Sequence, residues 1–166
     1  MTTIEFIKAA LETSRHMTFG LLDDMKDNAL QAPTSQGGNH PAWILGHLTL
    51  AESNIIEHVI QGNDNPLASW KDVYGSQAGP SADAGRYLPW DEVRSKYDEV
   101  RAKTLAFVDT LTEADLDLPT KNCPEGREHM FGTVGSCLLV LSLHPMMHYG
   151  QVADARRMAG REPLFA

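Results

Sequence analysis

The stretch Leu138-Leu-Val-Leu-Ser-Leu-His-Pro-Met-Met-His-Tyr-Gly-Gln-Val152 is largely apolar and carries two histidines four residues apart, His144 and His148. Residues i and i+4 lie on one face of a helix, so a helix here presents both imidazoles toward one point. At about 100° per residue, the residues within about 60° of His144 include His148, Thr133, Cys137, Val140, Leu141, Met147, Gln151, Ala155 and Met158. That arc is mostly apolar, which predicts that both histidines face a helical core.

Three further segments have helical periodicity. Residues 2–30 place apolar or small side chains at alternating steps of three and four, and Thr2 with Glu5 fits a capping box. Residues 43–59 carry a second apolar stripe, which Pro41 opens and Gly62 ends. Residues 89–111 repeat the spacing, and the final segment covers residues 133–159. Since no useful strand-like alternation is present, we expect an all-α four-helix bundle.

A long connection separates the second and third helical segments. Residues 62–88 are rich in Gly, Pro, Asn and Ser, which is typical of a loop. A loop of this length in a compact domain is usually functional or mobile, and it permits a crossover in the bundle. Trp70 and Tyr74 are the side chains expected to pack it against the body; a mobile crossover is the alternative.

A third histidine lies in the second helical segment. His47 is about 60° from Ile44, at the edge of that segment's apolar face. If the second and final segments pack together, His47, His144 and His148 bring three imidazoles to one point. Three neutral imidazoles with an open position form a catalytic type of metal site, because structural sites usually close with a fourth protein ligand. The alternative is that each histidine is hydrogen-bonded to a carbonyl or hydroxyl group.

Other candidate ligands do not share this register. His58 is three turns from His47, roughly 16 Å along the helix axis. Cys137 is two turns before His144 and is expected to be a small core residue. The remaining histidines fall on a polar helix face or in or near loops: His16, His40 and His129.

Composition narrows the function classes. The chain has 166 residues and 42% hydrophobic residues, which suits one domain over residues 1–166. A net charge of −8 opposes binding to nucleic acid. No run is long enough for a membrane span, and we expect no secretory signal. Two cysteines do not make a disulfide framework, so we expect reduced thiols and a cytoplasmic protein.

Two motifs resemble those of a known family. Gly37-Gly-Asn-His-Pro-Ala-Trp-Ile-Leu-Gly-His47 is similar to the second-helix signature of DinB-like four-helix bundle proteins. His144-Pro-Met-Met-His148-Tyr-Gly-Gln151 resembles their final-helix signature, His-xxx-His-x-Gly-Gln. The long loop and the opening Pro89-Trp-Asp-Glu-Val are also similar to the family's layout.

The resemblance implies a bundle with a long crossover, an unusual helix order and often a homodimer. It implies a metal triad at His47, His144 and His148, with zinc or nickel as the divalent metal. Characterised relatives are thiol-dependent transferases or isomerases that use small thiols such as bacillithiol or mycothiol, whereas many members have no known reaction.

Pro145 lies between two of the proposed ligands. It removes a helical hydrogen bond to the Leu141 carbonyl and predicts a kink. A kink either widens the space at the imidazoles or spoils their geometry, and we expect the first because the rest of the signature is intact.

The residues and the resemblance together predict a metal-dependent enzyme whose thiol substrate attacks an electrophile. Gln151, one turn after His148, is expected to orient a ligand from outside the metal's own shell; the alternative is an amide that caps a backbone group. Hydrolysis by metal-bound water ranks lower, because neither Glu52 nor Asp154 has the register of a general base. A third hypothesis is that the protein is a non-catalytic, metal-stabilised module for stress-related binding or interaction.

Overall fold

The computed structural model describes residues 1–34 and 38–164; Gly37, at the start of the second-helix motif, lies outside them. These residues form six α-helices and no strand, and one isolated bridge pairs Pro119 with Thr133. The all-α prediction is confirmed. The helices are α1 Thr3–Asp24, α2 Pro41–Ser53, α3 Lys71–Tyr74, α4 Trp90–Val108, α5 Glu128–Phe131 and α6 Val134–Met158.

α1 begins at the predicted capping box. The Thr2 hydroxyl accepts a hydrogen bond from the Glu5 N–H at 3.2 Å, and the Glu5 carboxylate accepts one from the Thr2 N–H at 2.7 Å. These two bonds satisfy backbone donors that a helix start leaves unpaired. The helix is shorter than the predicted segment, residues 2–30. It ends at Asp24, and a 3-10 turn over Lys26–Asn28 follows.

α2 begins with Pro41 in its first turn, as predicted, and His40 is its N-cap. The helical path continues past Ser53 as a π-helical stretch over Asn54–Ile60. It ends before Gly62, whose φ of +79° is the left-handed conformation that glycine adopts without a steric penalty.

The long connection contains more structure than the sequence predicted. Short helical turns occupy Ala68–Trp70 and Ala84–Arg86, and α3 lies between them. Tyr74 is 1% exposed and Trp70 packs beside it, so the prediction that these aromatic residues tie the loop to the body is confirmed. Four-residue helices such as α3 and α5 are too short to show a periodic pattern, so they could not be predicted from periodicity.

Packing of the four long helices brings α2 and α6 together. α1 packs mainly on α6, and α2 packs mainly on α4, while a smaller contact joins α2 to α6. Two clusters of buried apolar side chains fill the interior. No helix in the described part of the chain combines the length and the apolar character of a membrane span.

α6 extends through Pro145, whose ring is buried, without a break in the helix. The predicted inner arc holds for most of its residues, including Cys137, Leu141 and His148. Met147 and Met158 depart from it, being 70% and 52% exposed. Both lie toward the margins of the arc, where a side chain can turn outward.

Candidate metal centre

Three imidazoles from two helices meet at one point. His47 projects from α2, and His144 and His148 project from successive turns of α6. The Nε2 atom of His144 lies 3.2 Å from Nε2 of His47 and 3.3 Å from Nε2 of His148. One ligand atom from each of the three residues lies within 4.8 Å of the other two. The contact between α2 and α6 therefore gathers the three histidines that the sequence singled out.

Hydrogen bonds on the outer side of two rings fix which nitrogen faces inward. Nδ1 of His47 donates to the Tyr74 carbonyl oxygen at 2.9 Å, and Nδ1 of His148 donates to Oε1 of Gln151 at 2.9 Å. An oxygen acceptor requires the proton on Nδ1, so each neutral ring keeps an unprotonated Nε2. Asn39 also donates to Oε1 of Gln151 at 3.2 Å, which orients that amide.

Burial keeps the three rings neutral. Desolvation, with repulsion from the other two imidazoles, lowers the pKa of His144 to about 3. Desolvation also lowers the pKa of His47 to about 4, although its bond to Tyr74 opposes the shift. The pKa of His148 is lowered by the same burial. At neutral pH the rings therefore present lone pairs, not positive charge.

The donor set fits a divalent metal ion. Two inward lone pairs on His47 and His148 face His144, and a single proton on His144 Nε2 could satisfy only one of them. A metal with imidazole nitrogens at about 2.0–2.1 Å in tetrahedral geometry would separate those nitrogens by about 3.3 Å. The two measured separations, 3.2 and 3.3 Å, agree with that value. Borderline ions such as zinc and nickel prefer imidazole ligands.

Close packing of Tyr74 on α2 places the carbonyl that holds His47. A Cβ atom at Gly46 would lie 2.1 Å from Cδ1 of Tyr74, so only glycine allows this approach. The Tyr74 hydroxyl accepts a hydrogen bond from the Leu88 N–H at 3.1 Å, at the far end of the crossover. Trp43 stacks on a face of the His47 ring with 4.4 Å between centroids. The His47 ring is thus held at its Nδ1 edge by the Tyr74 carbonyl and at one face by Trp43.

Comparison with known proteins identifies the family. The DinB superfamily matches residues 10–152. The chain belongs to the DinB superfamily. A solved structure of a conserved protein from Enterococcus faecalis is 17% identical, with a TM-score of 0.67 over 97% of this chain and 99% of that one. At this identity the likeness concerns the fold. No curated protein matches the chain.

A cavity of about 380 Å³ adjoins His47 of this DinB-superfamily chain. It lies between the second half of α2 and the crossover, and His47 forms part of its wall. Its other lining residues are Leu50, Ala51, Asn54, Asn65, Ala68, Lys71, Gly75, Ser76 and Gln77. The volume is within the range of small-molecule sites.

The other histidines stay outside the cluster, as predicted. His40 is buried at the start of α2, where Nδ1 accepts from the Trp43 N–H and Nε2 donates to the Ser81 carbonyl. His58 is exposed near Asn63. The group of converging ligand atoms contains only histidines among the described residues. Cys137 is fully buried, and burial raises the pKa of its thiol to about 12, in keeping with a core residue.

Neither nearby carboxylate of this DinB-superfamily protein is positioned as a base. Asp154 accepts hydrogen bonds from the backbone and hydroxyl of Thr34. Glu52 is 3% exposed and pairs with Arg101 at 2.8 Å.

Sequence reasoning missed this buried pair and the Tyr74 carbonyl. The pair had a signal, because Glu52 follows Leu48 by four residues on an apolar stripe and Arg101 follows Tyr97 by four on another. The carbonyl had none, because backbone oxygens carry no residue-type signature.

Proposed function

We propose that the protein is a metal-dependent enzyme that uses a small thiol, as an S-transferase or an isomerase. His47, His144 and His148 would hold a zinc or nickel ion, and Gln151 would steady His148 from outside the metal's ligand shell. The observation that carries the proposal is the approach of three Nε2 atoms, one of which belongs to a histidine that lines a cavity.

The chain's own residues prepare the site for this chemistry. Tyr74 and Gln151 hold the Nδ1 protons of their histidines, which leaves the Nε2 atoms free as ligands. Burial lowers the pKa of all three imidazoles, so protons do not compete with a cation near neutral pH. When bound, a divalent metal supplies an open coordination position that favours the deprotonated form of a thiol.

The thiol proton passes to solvent, and a sulfur lone pair forms the new S–C bond. In a transfer, the leaving group departs with the electron pair of the bond that breaks. In an isomerisation, sulfur adds to a C=C bond, whose π electrons move to the neighbouring carbon. After rotation those electrons re-form the double bond and expel the thiolate, which recovers its proton from solvent. The cavity next to His47 would hold the thiol, and the electrophile would approach from its mouth.

Two observations favour this reaction over the alternatives. Hydrolysis needs a group that takes a proton from water, and the two carboxylates considered, Glu52 and Asp154, are held by Arg101 and Thr34. A non-catalytic metal site would usually be closed, whereas this one adjoins a cavity of about 380 Å³.

Metal content tests the ligand assignment. Wild-type protein loaded with zinc or nickel and then desalted should retain about one ion per chain, while His144→Ala and His148→Ala should lose it. His16→Ala, a change at an exposed histidine of α1, is the matched control and should retain the ion. Gln151→Leu should weaken affinity by about tenfold. Wild-type occupancy in either alanine variant would contradict the assignment.

Conjugation assays test the reaction. A panel of small thiols should react with 1-chloro-2,4-dinitrobenzene, or isomerise a cis-alkene diacid, faster with loaded protein than with metal-free protein. His148→Ala should reduce the rate to the metal-free level. If no thiol in the panel shows metal-dependent turnover, the thiol reaction is wrong even where the metal binds.

The proposal includes a homodimer formed through α1 and α6. A groove of about 520 Å³ runs between these helices, and none of its lining side chains is charged. Its rim includes Phe6, Leu139 and Leu143, which are 63%, 59% and 53% exposed. In a two-fold dimer the same patch meets itself, so an uncharged face avoids the repulsion expected elsewhere on a chain of net charge −8.

Sedimentation velocity tests the dimer. Leu143→Lys should shift the protein toward monomer, because each copy would bury an unpaired charge. Leu118→Lys, at a leucine of similar exposure outside the groove, should leave the wild-type distribution unchanged. A monomeric wild type would contradict the proposal.

Cytoplasmic location, supported by the two free cysteines, is tested by cell fractionation.

A further inference from the structure

The wall of the cavity beside His47 carries a positively charged side chain and no negatively charged one. Its ten lining residues include one cation, Lys71, and no carboxylate. Acidic residues outnumber basic ones in the whole chain, 22 to 14, so a wall without acid is a departure from the average surface. Among residues 1–34 and 38–164, no carboxylate lies within 4.0 Å of the Lys71 ammonium group.

A chain of hydrogen bonds leaves an amide donor on the same wall. Oδ1 of Asn65 accepts from the Leu67 N–H at 2.9 Å and from the Ser53 hydroxyl at 2.8 Å, which fixes the orientation of its amide. The NH₂ group of Asn65 is therefore directed at Oδ1 of Asn54, at 3.5 Å. That contact turns the NH₂ group of Asn54 away from Asn65, and in the described structure this NH₂ group donates to no protein acceptor.

We propose that Lys71 and Asn54 bind a carboxylate on the small molecule that occupies the cavity. A carboxylate only accepts hydrogen bonds, and an ammonium with an amide NH₂ supplies only donors. Ser76 and Gln77 add two exposed polar side chains at the mouth. The ligand would thus have its carboxylate at the crossover and its sulfur toward His47. This inference rests on the proposed function and specifies the class of thiol: one that carries an acidic group.

Paired thiols test the inference by binding alone. Nickel-loaded protein is titrated with 3-mercaptopropionate and with its neutral amide, and a longer pair, 6-mercaptohexanoate and its amide, covers a larger span. The readout is the near-ultraviolet sulfur-to-nickel absorbance. Wild-type protein should bind at least one acid about tenfold more tightly than its amide, as a charge-assisted contact implies.

Substitutions then assign the preference to its residues. Lys71→Met should bring the acid and the amide to similar affinity, and Lys71→Glu should reverse the order, because the new carboxylate repels the acid. Asn54→Ala should reduce the preference in part. Lys103→Met removes an exposed lysine outside the cavity and should keep the wild-type ratio. Since Lys71 is exposed, none of these effects should come with a loss of fold.

The outcomes separate this inference from the proposed function. Thiols that bind with equal affinity as acid and amide, or a preference that survives Lys71→Met, would overturn the role of Lys71 and leave the thiol reaction standing. Absence of the absorbance change with every thiol, in protein shown to hold nickel, would overturn both.

Discussion

The outward nitrogens of His47 and His148 determine what their inward nitrogens can bind. Each Nδ1 donates to an oxygen, the Tyr74 carbonyl or the Gln151 amide, and so each Nε2 is left as a lone pair. A second proton on either ring would place a positive charge close to the neighbouring imidazoles. Burial first, and repulsion between the rings second, lower the pKa of His47 and His144. At this scale the site has two fixed acceptors, and His144 can offer a proton to only one of them.

Gly46 offers a test of how firmly His47 is placed. Gly46→Ala would put a methyl group 2.1 Å from the Tyr74 ring, which must move and take its carbonyl with it. We expect destabilisation by roughly 1–3 kcal/mol, as for other overpacked cores, together with weaker metal binding. Denaturant unfolding of the metal-free protein and a metal titration measure the two effects.

Gly150→Ala is the matched control. Gly150 lies in the interior of α6, and a Cβ atom there would meet no atom within 4 Å. Alanine at such a position should stabilise the helix by up to about 1 kcal/mol. If the two substitutions had equal effects, the close packing of Tyr74 would not be what limits position 46.

At the scale of elements, α2 links the cap at its start to His47 of the candidate metal centre, two turns later. His40 caps the helix through Nδ1, which accepts from the Trp43 N–H at 3.2 Å, and ties the crossover through Nε2, which donates to the Ser81 carbonyl at 2.9 Å. Both bonds require the neutral ring with its proton on Nε2. A second proton on Nδ1 would point at the N–H that it now accepts.

His40 therefore predicts a loss of stability in acid. Burial lowers its pKa below the ordinary value of 6.5, so the unfolded chain takes up the proton first as the pH falls. The contribution of His40 is complete above that value and is lost as the pH falls below it, toward the folded pKa. His40→Asn keeps a cap that cannot titrate. At about pH 7.5 the free energy of unfolding of the wild type should exceed that of His40→Asn by about 1 kcal/mol. At about pH 5.5 this difference between the two proteins should be smaller.

Unfolding curves of metal-free wild type and His40→Asn at both pH values measure this gap. The other histidines are common to both proteins, so their effect cancels in the difference. His16→Asn, the same substitution at an exposed position of α1 outside the cap, is the matched control. A His40 gap that stayed constant, or grew in acid, would show that protonation of this ring does not weaken the cap.

The sequence predicted the long helices because their signals are local. The Thr2–Glu5 capping box, Pro41 and Gly62 all act within a turn or two of their own position. α3 and α5 were missed because four residues carry no readable period. The end of α1 was placed too late, since the stripe continues to Met25 although the helix itself stops at Asp24.

The candidate site was partly readable for a similar reason. The spacing of His144 and His148 is a local fact, and the angle of His47 gave a compatible face. The three histidines meet because α2 packs on α6. Helical periodicity does not predict which helices pack together, so this expectation came from the resemblance to the family's motifs. The convergence is present, whereas the role of these histidines as metal ligands stays a prediction. The positions of the Tyr74 carbonyl and of Lys71 at the cavity depend on the path of the crossover, which the sequence did not predict.

At the scale of the whole molecule, one buried ion pair joins three of the long helices. Arg101 of α4 donates to the Glu52 carboxylate of α2 at 2.8 Å and to the Leu11 carbonyl of α1 at 2.8 Å. It also donates to the Tyr97 hydroxyl at 2.7 Å. Both charged side chains are 3% exposed. In the described structure one oxygen of Glu52 and Nε of Arg101 have no protein partner, so the pair is imperfectly satisfied.

This arrangement predicts a strongly non-additive pair of substitutions. Arg101→Met leaves the Glu52 carboxylate buried without a counter-charge and should cost about 3–5 kcal/mol, and Glu52→Leu should cost a similar amount for the stranded guanidinium. The double variant removes both desolvation penalties and replaces them with apolar packing, so it should recover most of the loss. Denaturant unfolding of the four proteins, free of metal, gives the coupling energy. Additive losses would mean that the pair holds the helices together by net attraction, and not merely because each charge needs the other.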